Sequence, residues 1–180
     1  WPLLACCRSR AGEGYRGAAW VASGEEPTLA EVDLMAFAVR RRVDIHGRAN
    51  RLLVRTDSGS RLLYSCDYAN GWIEEIDPVA GRRVRALRLD GPLAGVRLLP
   101  GGGSLWAAAD HPPRLVSIDT ATLRPGRPVL LPASPVRMDL SPSGSQAAAT
   151  TIGGEIIVAD TAAGRISGLA AIGSPLGSVR

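Results

Sequence analysis

Residues 96–131 read VRLLPGGGSLWAAADHPPRLVSIDTATLRPGRPVLL. Gly, Pro and Asp interrupt the apolar runs every few residues, so no spacing of three and four is sustained over ten positions. The stretch reads as four short strands, near 96–99, 104–109, 114–118 and 126–131. Gly101-Gly102-Gly103 supplies one tight connection and the turn after Asp119 another.

The same pattern recurs on either side. Aspartates after a short apolar run stand at Asp33, Asp77, Asp119 and Asp160, spaced 44, 42 and 41 residues apart. Glycines open the preceding run at Gly17, Gly59, Gly103 and Gly144, and each lies 16 or 18 residues before its aspartate. Three residues after these glycines come Trp20, Leu62, Trp106 and Ala147. Leu29, Ile73, Leu115 and Ile156 lie four before the aspartates, and Val32, Ile76, Ile118 and Ala159 immediately before. Gly91-Pro92, Ser134-Pro135 and Ser174-Pro175 introduce a further strand. Four short antiparallel strands repeated every forty residues or so predict an all-β fold, a β-propeller segment of about four blades. The blades are expected at 1–45, 46–90, 91–131 and 132–173, with another starting at 174–180. The chain opens on Trp1 and stops at Val179-Arg180, inside the expected pattern, so a larger ring of about six to eight blades is expected. Each repeated aspartate has a local role, accepting hydrogen bonds from amides two or so residues on.

Composition narrows the function classes. Hydrophobic residues make up 46% and charged ones 21%, a globular balance, and no apolar run has the length of a membrane helix. The net charge is +4, yet all 21 basic residues are Arg and they are dispersed, Arg40-Arg41-Arg42 being the densest run. With only 4% aromatics, this is not the concentrated basic face interleaved with stacking rings that nucleic acid requires. Cys6, Cys7 and Cys66 form neither a disulfide framework nor a zinc spacing, and read as buried thiols. His46 and His111 are too few for most metal sites, and no metal or cofactor is predicted.

Some residues resemble a known repeat. Val116-Ser117-Ile118-Asp119-Thr120-Ala121-Thr122 resembles the YVTN-type propeller repeat, with Val158-Ala159-Asp160-Thr161 and Glu75-Ile76-Asp77-Pro78 as weaker copies. Leu140-Ser141-Pro142-Ser143-Gly144 resembles the Ser-Pro-Asp-Gly turn shared by YVTN-type and WD-repeat propellers. No Trp precedes any of the four aspartates and no Gly-His pair occurs, which places the likeness with the YVTN-like and quinoprotein-like bacterial group. The resemblance implies innermost strands near 51–55, 96–99 and 136–140, with connections 45–50, 66–71, 89–95, 109–114 and 132–135 on one face. That face would carry Asp67, Tyr68, Asn70, Asp110 and His111 as ligand-binding candidates. Arg97 and Arg137 would sit at the channel mouth.

No catalytic constellation emerges. Asp110-His111 is an acid beside a histidine, but neighbours on a strand or turn point apart and no third partner has a recognisable spacing. Asp139, among apolar neighbours, is expected to pair with Arg137 or a backbone amide. Gly101-Gly102-Gly103 and Gly153-Gly154 lack the Lys-Ser/Thr and helix of a phosphate loop. Leu3-Leu4-Ala5-Cys6 has two readings, an innermost strand or the remnant of a lipoprotein signal that would anchor Cys6 in the cell envelope rather than leave the protein in the bacterial cytoplasm. Two functions stay open: a non-catalytic binding scaffold whose loop face engages a protein or small ligand, or part of a propeller enzyme, quinoprotein-like dehydrogenase or lactonase-type hydrolase.

Overall fold

The computed structural model describes residues 17–57 and 60–173. All regular elements are strands, arranged as four antiparallel sheets in chain order. The first holds β1 (Ala18–Ala22), β2 (Thr28–Asp33) and β3 (Ala38–Asp44). The second holds β4 (Arg51–Asp57), β5 (Ser60–Asp67), β6 (Trp72–Asp77) and β7 (Arg82–Arg88). The third holds β8 (Leu93–Leu98), β9 (Ser104–Ala109), β10 (Arg114–Asp119) and two short pieces, β11 (Arg124–Pro125) and β12 (Val129–Leu130). The fourth holds β13 (Pro135–Leu140), β14 (Gln146–Thr151), β15 (Glu155–Asp160) and β16 (Arg165–Ala171). Sheets two and four are simple meanders, and consecutive sheets stack face to face as blades of a β-propeller. The expected strands at Pro2–Cys7 and 174–180 lie outside the described residues.

Alternation along each strand explains the stacking. In β9, Leu105, Ala107 and Ala109 enter the seam with blade two, while Trp106 and Ala108 enter the seam with blade four. A strand buried on both faces therefore needs an unbroken apolar run, which Leu105–Ala109 provides. The middle seam joins Tyr64, Cys66 and Ile73 to Val96, Val116 and Ile118. The last joins Trp106, Leu115 and Leu131 to Met138, Ala147 and Ile157. Leu29, Val43 and Ile45 meet Leu63 and Ile76 in the first. Each such large side chain, fully enclosed, contributes about 1.5–3 kcal/mol.

Register corrects two expectations. Ser141 N donates to Gln146 O and Gly144 N to Ser141 O, as Leu99 N does to Ser104 O and Gly102 N to Leu99 O. Gly144 therefore matches Gly102, not Gly103, and both have φ 73°. Trp20 and Trp106 do correspond, each paired with the residue two before the repeated aspartate. Ala147 pairs one position later, with Ala159, while Leu63 pairs with Ile76 and so puts Leu62 beside Asp77. The count from glycine slipped because the hairpin loops differ in length. The strand expected at 126–131 is also divided: β11 ends at Pro125, β12 begins at Val129, and Pro125 and Pro128 have no amide to donate to a ladder.

All four repeated aspartates hold the turn between the third and fourth strands. The Asp33 carboxylate accepts from Met35 N (2.7 Å) and Ala36 N (3.0 Å), and Asp77 from Val79 N (2.8 Å) and Ala80 N (2.9 Å). Asp119 accepts from the amide (2.7 Å) and hydroxyl (2.8 Å) of Thr122, and Asp160 from Ala162 N (2.9 Å) and Ala163 N (2.8 Å). Four residues on, each turn closes in the left-handed region, at Phe37, Gly81, Leu123 and Gly164. The threonine in Asp-Thr adds a second tie. Thr120 Oγ1 donates to Gly102 O (2.7 Å) and Thr161 Oγ1 to Gly144 O (2.6 Å), joining the turn to the neighbouring hairpin.

A second device locks blade to blade. Glu31 and Glu75 stand two before the aspartates, both buried, and Arg41 and Arg85 stand eight after. Arg85 binds Glu75 through Nε (3.2 Å) and Nη2 (2.8 Å), then donates onward to Thr120 O (3.2 Å) and Ala121 O in the next blade. Arg41 likewise binds Glu31 and donates to Pro78 O (2.7 Å) and Val79 O (3.0 Å). These are the same two positions of the next turn in both cases. Blade three has Ser117 where the glutamate would be and carries no such clamp.

Candidate functional site

The loop face is formed by the connections between second and third strands and between successive blades, which the strand directions bring to one end. Its frame is repetitive. Ile45 N donates to Pro27 O, Leu89 N to Gly71 O and Leu131 N to Pro113 O, each at 2.9 Å, so residues 45, 89 and 131 are equivalent.

Most of the expected ligand-binding residues here serve the scaffold. Asp67 is buried, and its carboxylate accepts from Ala69 N (2.9 Å), Arg48 N (2.9 Å) and Asn70 Nδ2 (2.7 Å). Asn70 is thereby held in the turn, its carbonyl accepting from Arg88 Nε at 3.3 Å. The Tyr68 hydroxyl accepts from Val96 N (3.1 Å) in the next blade, and Leu93 N donates to Tyr68 O (2.7 Å). Burial raises the Tyr68 pKa. Of the three, Tyr68 joins blade two to blade three, while Asp67 and Asn70 order the loops of blade two itself.

Asp110, His111, Arg97 and Arg137 are placed differently. His111 is mostly exposed, with Nδ1 3.5 Å from Asp110 Oδ2, and Asp110 Oδ1 is buried without a partner among the described residues. Arg97 Nε donates to Asp139 Oδ1 at 2.9 Å, linking the innermost strands β8 and β13. Asp139 thus pairs with Arg97 of the preceding blade and accepts from its own Leu140 amide (2.9 Å), the backbone partner expected as one of two. Partial burial opposes the Asp139 charge, but the Arg97 and Leu140 bonds outweigh it and lower the pKa. Arg137 is exposed on β13 beside this pair.

The sequence reading passed over one constellation. Glu74, 1% exposed, accepts from His46 N (3.0 Å), His46 Nδ1 (3.0 Å) and Arg83 Nη1 (3.2 Å). The imidazole stacks on Trp72, centroids 4.5 Å apart and 12° from parallel, and Arg88 covers Trp72 at 5.6 Å. A carboxylate on Nδ1 fixes the tautomer with Nε2 as the outward acceptor, the arrangement that orients a histidine for proton transfer. The signal was present: three before the aspartate, the other blades carry Val116 and Ile157, so Glu74 is a charge in an apolar column. Its partner could not be read, because His46 is 28 residues away.

Cys66 is fully buried, and burial pushes its thiol up to about 12, in keeping with the reading of an enclosed thiol; Cys6 and Cys7 lie outside the described residues. Among the described residues no three His, Cys, Asp or Glu side chains gather to hold a metal, and no helix is long and apolar enough to cross a membrane.

Comparison with solved structures places the fold. The chain is similar to Kuenenia stuttgartiensis hydrazine synthase, with a TM-score of 0.72 and 18% identity over 86% of this chain and 46% of that one. It is similar to the dihydro-heme d1 dehydrogenase NirN in complex with DHE, with a TM-score of 0.76 and 15% identity over 89% of this chain and 36% of that one. The chain spans less than half the length of either. No family model and no curated protein matches the sequence.

Proposed function

We propose that these blades are a non-catalytic binding scaffold of YVTN type whose loop face engages a protein or small ligand. The observation that carries this reading is how the carboxylates are used. Asp33, Asp77, Asp119 and Asp160 bind turn amides, Asp67 a loop, and Glu31 and Glu75 the arginine clamps. Among the expected ligand-binding residues, Asn70, His111 and Arg137 stay exposed, and Arg97 pairs with the exposed Asp139 on the innermost strands. A photo-crosslinking residue at His111 in the full-length protein should capture a partner that the same residue at Val79, on the opposite face, does not. Equal capture at both positions, or none together with measurable turnover, would overturn the proposal.

The enzyme reading has one observation in its favour, the His46–Glu74 pair. It predicts a turnover that His46→Asn abolishes while the melting temperature falls only slightly, and hydrazine synthase and the dehydrogenase NirN are both enzymes by name.

A further inference from the structure

We propose that the seam between blades two and three holds a binding site for a small monocarboxylate with an apolar body. Its walls are a cleft of about 260 Å³ lined by Leu87, Leu89, Val116, Pro125 and Pro128, with Arg88, Asp90 and Arg114 among the lining residues.

Comparison of equivalent seams shows why this one is open. Between blades one and two the space is filled by Glu74, Trp72, Arg83 and His46, all bonded or stacked together. Between blades three and four, Ile157 and Leu131 meet in an apolar contact. In the middle seam the corresponding residues are Val116 for Glu74, Arg114 for Trp72 and Asp90 for His46, while Pro125 stands opposite Ile118 as Arg83 stands opposite Ile76. Valine and proline are shorter than the glutamate and arginine they replace, and the divided fourth strand leaves their side uncovered.

The charges select the ligand. Arg114 is 8% exposed, and its Nη1 donates to the carbonyls of His111 and Pro112 (3.0 Å to the latter). Its Nε and Nη2 have no acceptor among the described residues. A guanidinium so enclosed gains most from a planar carboxylate. Arg88, opposite Trp72 on the ladder and laid over its ring, turns to the other seam, so Arg114 is the guanidinium that would meet a single carboxylate here. In the neighbouring seam the protein places its own carboxylate, Glu74, against an arginine; here the ligand would supply it.

Isothermal titration of the full-length protein with octanoate, octanol and octylamine tests this. Octanoate should bind saturably, and both analogues about tenfold or more weaker, the loss expected for one charge-assisted hydrogen bond. Arg114→Gln should weaken octanoate by a similar factor, and Pro128→Trp, which fills the mouth from an exposed position, should abolish binding with the far-UV dichroism and urea midpoint unchanged. No saturable octanoate binding up to about 10 mM, equal affinity for octanol, or binding indifferent to both substitutions would each overturn the proposal. Capture of an extended peptide in competition with none of the three probes would do so too.

Discussion

Arg85→Met tests how the blades are held together. The substitution keeps the apolar stem and removes the guanidinium that joins Glu75 to the carbonyls of Thr120 and Ala121. Glu75 is 1% exposed, so its charge would be left with the Tyr64 hydroxyl (3.3 Å) as its remaining bonded partner. Breaking a buried pair costs about 3–5 kcal/mol. The Arg85 side chain is 33% exposed, and water can reach part of the vacated space. The expected loss is therefore about 2–4 kcal/mol, or roughly 5–15 °C in melting temperature for a chain of this size. Urea denaturation followed by tryptophan fluorescence would measure it. The double variant Glu75→Met/Arg85→Met removes the stranded charge and should recover most of the loss, giving a coupling of about 2 kcal/mol. A single-variant cost below about 1 kcal/mol, or a double variant as unstable as the sum of the two singles, would refute the clamp.

Other expectations follow from the same geometry. Phe37 is 84% exposed in a left-handed turn position, so Phe37→Gly should stabilise by about 0.5 kcal/mol, whereas Leu123→Gly, at the equivalent turn but buried, should destabilise by about 2–3 kcal/mol in the same urea assay. The Asp119 pKa is lowered by the Thr122 hydroxyl and then the Thr122 amide, and that of Asp33 by the Ala36 amide, then Arg40 and the Met35 amide. A folded pKa below the unfolded value of about 3.9 contributes stability that is complete above that pH and lost as pH falls through the folded pKa. Asp119→Asn should therefore flatten the stability profile below about pH 4, and an unchanged slope would dismiss the link. Tyr68→Phe should cost about 1 kcal/mol by orphaning the Val96 amide, seen as faster hydrogen exchange at that amide. Cys66, with its thiol pushed up to about 12, should resist iodoacetamide at pH 8 until the chain unfolds, read by mass spectrometry of its peptide.

The repeat was legible because it is built from local rules. A turn needs an acceptor at its first residue and a residue able to turn left-handed four later, and a strand buried on both faces needs consecutive apolar groups. Asp119-Thr120, Gly81 and Leu105–Ala109 state those needs within a few residues of where they act. The clamps were nearly legible, since Glu and Arg recur at fixed distances from Asp33 and Asp77, but their targets are carbonyls some 36 residues on and carry no side-chain signature.

Tertiary structure alone decided which candidates are accessible. Asp67, Tyr68 and Asn70 sit in the loops where binding residues were expected, yet Asp67 is buried on the amides of Arg48 and Ala69, blade three engages the Tyr68 hydroxyl through Val96 N, and Asn70 alone of the three stays exposed. The His46–Glu74 pair and the open middle seam exist only where two blades meet. Sequence by itself fixes what each forty-residue unit can bury and how it turns. Whether a given polar side chain is spent on the neighbouring blade or left for a ligand depends on the residue facing it across the seam, and that residue is a full repeat away.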